Sequence, residues 1–177
     1  MRVSALLVTV LALGLGACGS GFDDPGPITW NGTGAKPRVL RGGPPLQCVP
    51  YARNVSGVQI FGDAYTWWEQ AASRFDRSSN PEVGAVMVMK AYQNEQRGHV
   101  AVVRRVVNDR EIVVDHANWL NSGEIGLDNP VMDVSPDNDW SEVRVWYAPG
   151  GHYGGRVYEV QGFILGPSGS TQHVAAR

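Results

Sequence analysis

An α+β domain is the fold class this sequence predicts, and three observations predict it. Apolar residues recur at helical spacing between Cys48 and Phe75. From Gly84 onward they gather instead into strand-length runs. Two of those runs, 98–107 and 111–119, are joined only by Asn108-Asp109-Arg110, a link of hairpin length. The order implied is helices first, with a cysteine at a helix start, packed on an antiparallel sheet of about five to six strands.

The chain opens with Arg2, an apolar run from Val3 to Leu15, and Leu15-Gly16-Ala17-Cys18. That run is too short to span a bilayer and has the three parts of a secretory signal, so residues 1–17 read as a signal peptide. The last four residues resemble a bacterial lipobox, which would make Cys18 the acylated first residue of a lipoprotein. The position after Cys18 is not Asp, and by that resemblance the anchor would sit in the outer membrane. Residues 18–46, rich in Gly, Pro and Asp, read as a flexible tether.

About 160 residues then remain, enough for one domain with a core of its own. With 15 Lys and Arg against 17 Asp and Glu, the chain has no basic footprint for nucleic acid. Cys18 and Cys48 are its two cysteines. Acylation or removal of the first leaves Cys48 without an intramolecular partner in an exported protein, and catalysis is one reason to keep such a thiol.

Cys48 follows the breaker run Gly42-Gly43-Pro44-Pro45 and opens a segment with Val49, Ala52 and Val55 at three-residue spacing before Gly57. Pro50 fits only in the first turn of a helix, so the helix starts near Cys48. Unpaired amides and the positive end of the helix dipole there favour thiolate over thiol. Asp63 is the expected N-cap of a second helix, 64–75, whose Trp67, Trp68, Ala71, Ala72 and Phe75 make an apolar face.

Residues 85–89 form a continuous apolar run that suits a strand buried on both faces. The runs 98–107, 111–119, 140–147 and 157–165 supply the other expected strands, the last two separated by the glycine-rich loop 150–155. If Asn108 and Asp109 form the hairpin turn, His99 opposes Asn118 and has His116 as diagonal neighbour. Opposed side chains lie roughly 5 Å apart at Cβ and diagonal ones about 7 Å apart, all on one face. A turn at Asp109-Arg110 keeps the three on that face, whereas a three-residue loop puts Asp115 there instead. His116, Asn118 or Asp115 is thus the group that would orient His99.

A thiol at a helix start, a strand imidazole and a polar orienter form the nucleophile, base and orienter set of covalent amide hydrolysis. Asp133, Asp137 and Asp139 lack the glycine and terminal glutamate of a calcium loop and read as solvated turn residues. His152, in the glycine-rich loop, and His173, in the tail 167–177 expected to be disordered, have no strand context. No metal or cofactor is called for.

QCVPYAR at 47–53, PEVGAVMVM at 81–89, GHVAVVRRV at 98–106 and VVDHANW at 113–119 together resemble the CHAP family, the cysteine- and histidine-dependent amidohydrolases and peptidases of bacterial cell-wall metabolism. The resemblance implies a papain-like fold for residues 47–166, with Cys48 as nucleophile and His99 as base. The family's third residue is usually a Glu two places before an Asn; here those positions are His116 and Asn118. The expected activity is hydrolysis of an amide bond in peptidoglycan by a lipid-anchored envelope enzyme. Alternatives are a noncatalytic wall-binding module, or an amidase acting on a small peptide conjugate. Whether a protein partner activates it is not specified by the residues.

Overall fold

The structure, a computed structural model, describes residues 36–91 and 97–167. The expected signal segment 1–17, Cys18, the tether as far as residue 35 and the tail from residue 168, with His173, lie outside the described residues.

The chain runs β1 (Arg38–Leu40), α1 (Cys48–Ser56), a 3-10 turn (Ala64–Thr66) leading into α2 (Trp67–Ala71), β2 (Arg77–Ser78), β3 (Val86–Met89), β4 (His99–Asn108), β5 (Glu111–Ala117), β6 (Ile125–Asp133), β7 (Glu142–Tyr147), β8 (His152–Tyr153) and β9 (Tyr158–Ile164). α1 begins at Cys48, with Gln47 in extended conformation before it and Pro50 inside the first turn. It ends where Gly57, at φ 75°, returns its N–H to the Arg53 carbonyl. The second helix is shorter than the expected 64–75. Its first turn is 3-10, and past Ala71 the bonds tighten, with Ala72 N–H donating to Glu69 O and Arg74 N–H to Ala71 O. Asp63 caps it by position only, with no side-chain bond.

All strand pairings are antiparallel, in the order β1-β6-β5-β4-β3-β9-β7-β8, with β2 on β9. β6 also pairs with β7, so β3, β4, β5, β6, β7 and β9 close into a six-stranded barrel rather than an open meander. Closure leaves two cores. Met87, Ala101, Ile112, Val114, Val143 and Phe163 fill the barrel, while Val86, Val88, Val100 and Val102 on its outer surface meet Ala52 of α1 and the fully buried Trp67. Both faces of β3 are therefore covered, as its unbroken apolar run requires.

β6 escaped the sequence reading because Gly126, Asp128, Asn129 and Pro130 look like loop residues. Pro130 is tolerated because it lies between the part of β6 that pairs with β1 (125–127) and the part that pairs with β7 (131–133), where that edge changes partner. β1 itself occupies residues that composition assigns to the tether. His152, expected to lack strand context, pairs with Tyr147 through β8. Asp133, expected to be a solvated turn residue, is buried; it accepts bonds from Ser135 N–H and Oγ–H (2.8 and 2.6 Å), with Arg110 at 3.8 Å.

The β4–β5 hairpin turns at Asp109-Arg110, flanked by Asn108 opposite Glu111. Two one-residue offsets follow in β4, between Val103 and Arg105 and between Val106 and Asn108. Each offset alone would exchange the faces; the pair restores them, leaving Val102 opposite Asp115. His99 thus shares the inward face with Ala101 and Val103, and His116 shares it with Ile112 and Val114.

Candidate active site

The site lies where α1 begins against the end of the barrel. Cys48, partly buried, stands first in α1 with its sulfur facing the backbone amides of Val100, of Val49 and of Cys48 itself. Burial raises the thiol pKa above its ordinary 9.0, and the three amides, which favour the thiolate, only partly offset this. The resting group is a thiol, contrary to the thiolate expected from the helix terminus alone. The amides were legible in the sequence, but the desolvation that outweighs them was not.

His99 follows Gly98 and lines the same cavity as Cys48. That glycine sits at φ +60°, and a Cβ on it would stand 2.9 Å from Tyr65 N and 3.0 Å from Met89 O, so only glycine allows β4 to start so close to the 3-10 turn. His99 Nε2 and His116 Nδ1 share a hydrogen bond of 3.1 Å, with their rings edge to face at 5.1 Å between centroids. Trp119 stacks on the His116 ring and turns its edge to His99, and Tyr158 packs against Trp119. The aromatic cluster seals the end of the barrel core. It also strips water from both imidazoles: desolvation first, then His116, hold His99 well below the ordinary 6.5, and desolvation lowers His116 to about 4. Both rings are neutral.

Between two neutral rings this bond holds one proton, carried either by His99 Nε2 or by His116 Nδ1. With that proton on His99 Nε2, His99 Nδ1 is bare and can accept a proton from a thiol. His116 then carries its own proton on Nε2. That nitrogen faces Gly126, where an added Cβ would run into the Asn129 amide and lie 3.1 Å from His116 Nε2.

Asn118 lines the same cavity but is bonded elsewhere. Its Nδ2 donates to Gln47 Oε1 (2.8 Å), its Oδ1 accepts from Gly123 N–H (2.8 Å), and Leu46 N–H donates to Gly123 O (3.0 Å). These bonds tie the β5–β6 loop to the residues just before α1. Gln47, whose part sequence reasoning missed, receives one end of that tie; its place beside Cys48 was the available signal. Asp115 faces the other side of β5, accepting from Asp128 N–H (2.8 Å) and pairing with Arg104 Nε (3.2 Å). Burial pushes its carboxyl pKa up, partly offset by those two groups. Of the three possible orienters, His116 is the one bonded to His99.

A cavity of about 730 Å³ opens over these groups, lined by Cys48, His99, Asn118 and Trp119. The chemistry it holds is a protected thiol, a bare imidazole nitrogen and amide donors, the parts needed to attack a carbonyl and hold the resulting oxyanion.

Residues 40–118 match the family model of the CHAP domain. No curated protein matches the chain. Among solved structures it is similar to an N-acetylmuramoyl-L-alanine amidase from Staphylococcus aureus, at 27% identity and a TM-score of 0.44, over 68% of this chain and 30% of that one. From residue 40 to residue 118, then, this chain is similar to a CHAP domain.

Proposed function

We propose that the protein is a peptidoglycan hydrolase that cleaves an amide bond by a Cys48–His99 thiol mechanism of papain-like layout. The observation that carries this reading is the 3.1 Å bond between His99 Nε2 and the buried His116 Nδ1, behind a cavity that His99 and Cys48 both line. In this reading His99 Nε2–H donates to His116 Nδ1, and His99 Nδ1 is the acceptor for the thiol proton. Sulfur attacks the carbonyl carbon as that proton moves to His99, and the oxyanion is held by backbone amides at the start of α1. The tetrahedral species expels the amine, which takes the proton back from His99. Water, deprotonated by His99, then cleaves the thioester, releasing a carboxylic acid and restoring the thiol. His116 accepts the His99 Nε2–H throughout. The bond cut is either the sugar-to-stem amide or one within the peptide.

Digestion of purified peptidoglycan, with fragments identified by mass, tests the reading. Wild-type protein releases peptides with new amine and carboxyl ends, and Cys48→Ala releases none. A Cys48→Ala variant as active as wild type removes the mechanism. The raised thiol pKa favours a second reading, a noncatalytic wall-binding module. In that case Cys48 of the folded protein stays inert to iodoacetamide even at pH 9.5, whereas an active-site thiol is alkylated.

We further propose export and anchoring in the outer membrane through acylated Cys18. Labelled palmitate should enter the wild-type chain and not Cys18→Ser; label in neither sinks the anchor.

A further inference from the structure

The cavity over Cys48 is lined by four cationic side chains, Arg53, Lys90, Arg97 and Arg156, and by one carboxylate, Asp63. The chain as a whole carries a net charge of −2, so this concentration is not a reflection of composition. Lys90 is neutralised by Glu159 at 2.7 Å, which leaves the excess on the arginines. Arg53 lies over the Phe61 ring, its guanidinium carbon 4.4 Å from the centroid. Stacking of that kind fixes the plane of the fork while leaving its in-plane N–H donors turned outward. Arg97, exposed, stands two residues before His99. A cation in the last turn of α1 also suits the helix dipole, which accounts for Arg53 in part but not for Arg97 on the facing wall.

We infer that the cleft selects an acyl substrate bearing a free carboxylate close to the scissile amide, which Arg97 and Arg53 receive by charge-assisted hydrogen bonds. The inference rests on the hydrolase reading and names its substrate class: acidic wall peptides with free rather than amidated side carboxyls. Planar guanidinium forks match a carboxylate and have no comparable match for a primary amide, whose nitrogen only donates.

Two peptidoglycan preparations test it, one native and one with its carboxyl groups converted to primary amides by carbodiimide and ammonia. Wild-type protein is expected to show about ten-fold or greater loss of kcat/KM on the amidated wall, carried by KM. Arg97→Glu should remove most of the rate on native wall and little on the amidated one, and added salt should narrow the gap between the substrates. Equal turnover of the two walls by wild type, or equal loss on both in Arg97→Glu, overturns the inference and leaves the hydrolase reading intact. Hydrolysis of neither wall overturns the hydrolase reading. In that event, calorimetric binding of soluble native and amidated wall peptides to Cys48→Ala decides the carboxylate preference: tighter binding of the native peptide supports it, and equal affinity rejects it.

Discussion

Cys48 gains amide neighbours by standing first in α1 and loses more by being covered there, so the sulfur rests as a thiol, and the proposed mechanism needs His99 to take its proton at the moment of attack. The rate of alkylation of the native protein by iodoacetamide should therefore climb with pH through and beyond 9; a plateau already reached at pH 7 would show a thiolate instead. His116 offers His99 a neutral acceptor where a carboxylate would stabilise the imidazolium more. His116→Ala should cost about 100-fold in kcat while leaving Cys48 alkylation at high pH unchanged. The same ring links stability to pH. Its folded pKa, about 4, lies below the unfolded 6.5, so between those values the unfolded chain binds the extra proton and stability falls as pH falls. The loss completes near pH 4 at about 3 kcal/mol for His116, with His99 adding in the same direction. Thermal melts from pH 7 to 4.5 should show this decline, less steep in His116→Gln. At this scale the places of Cys48 at a helix start and of His99 at a strand start were legible, because each is marked by its own neighbours, Pro50 and Gly98. The choice among His116, Asn118 and Asp115 was not, because Val113 and Val114 are both apolar and hide which face of β5 is inside.

The element that positions Cys48 is α1, and two contacts hold its start: the Asn118–Gln47 bond and the Leu46–Gly123 bond. Asn118→Ala removes the first and leaves Gly123 N–H without its side-chain acceptor, a cost of about 1–2 kcal/mol. Activity should fall with the melting temperature, and an unchanged kcat would show that α1 does not need the tie. Opposite, β4 starts under Gly98. Gly98→Ala forces a positive φ on alanine and drives its Cβ against Tyr65 N and Met89 O, so a loss of at least 1 kcal/mol is expected in chemical denaturation. The helix start was readable from Pro50, and the five expected strands from their apolar runs. β6 was not, since its identity depends on partners on both sides rather than on its own alternation.

At the scale of the molecule, six strands close on themselves and the active-site rings seal one end of the enclosed core. Closure depends on the β6–β7 pairing Val131–Val145, which joins segments that the sequence shows only as separate neighbours along the chain, so a sheet was foreseeable and a barrel was not. Where β6 leaves β7, β1 takes its place on the open edge, with Val39 opposite Gly126 and Gly126 opposite His116 on the next strand. The ion pairs flanking β1, Arg38–Asp128 and Arg41–Glu124, are screened by solvent and contribute little, so the strand holds mainly by its ladder and by what it covers.

Three strands in register thus run from β1 to His116, whose ring is bonded to His99, and among the described residues β1 is the first of the fold. Tension applied from the amino-terminal side would load β1 in shear and reach the ring of His116 after crossing a single glycine. If the protein is tethered at that end, a taut leash is felt first at the machinery for bond cleavage, and the far side of the barrel feels it last.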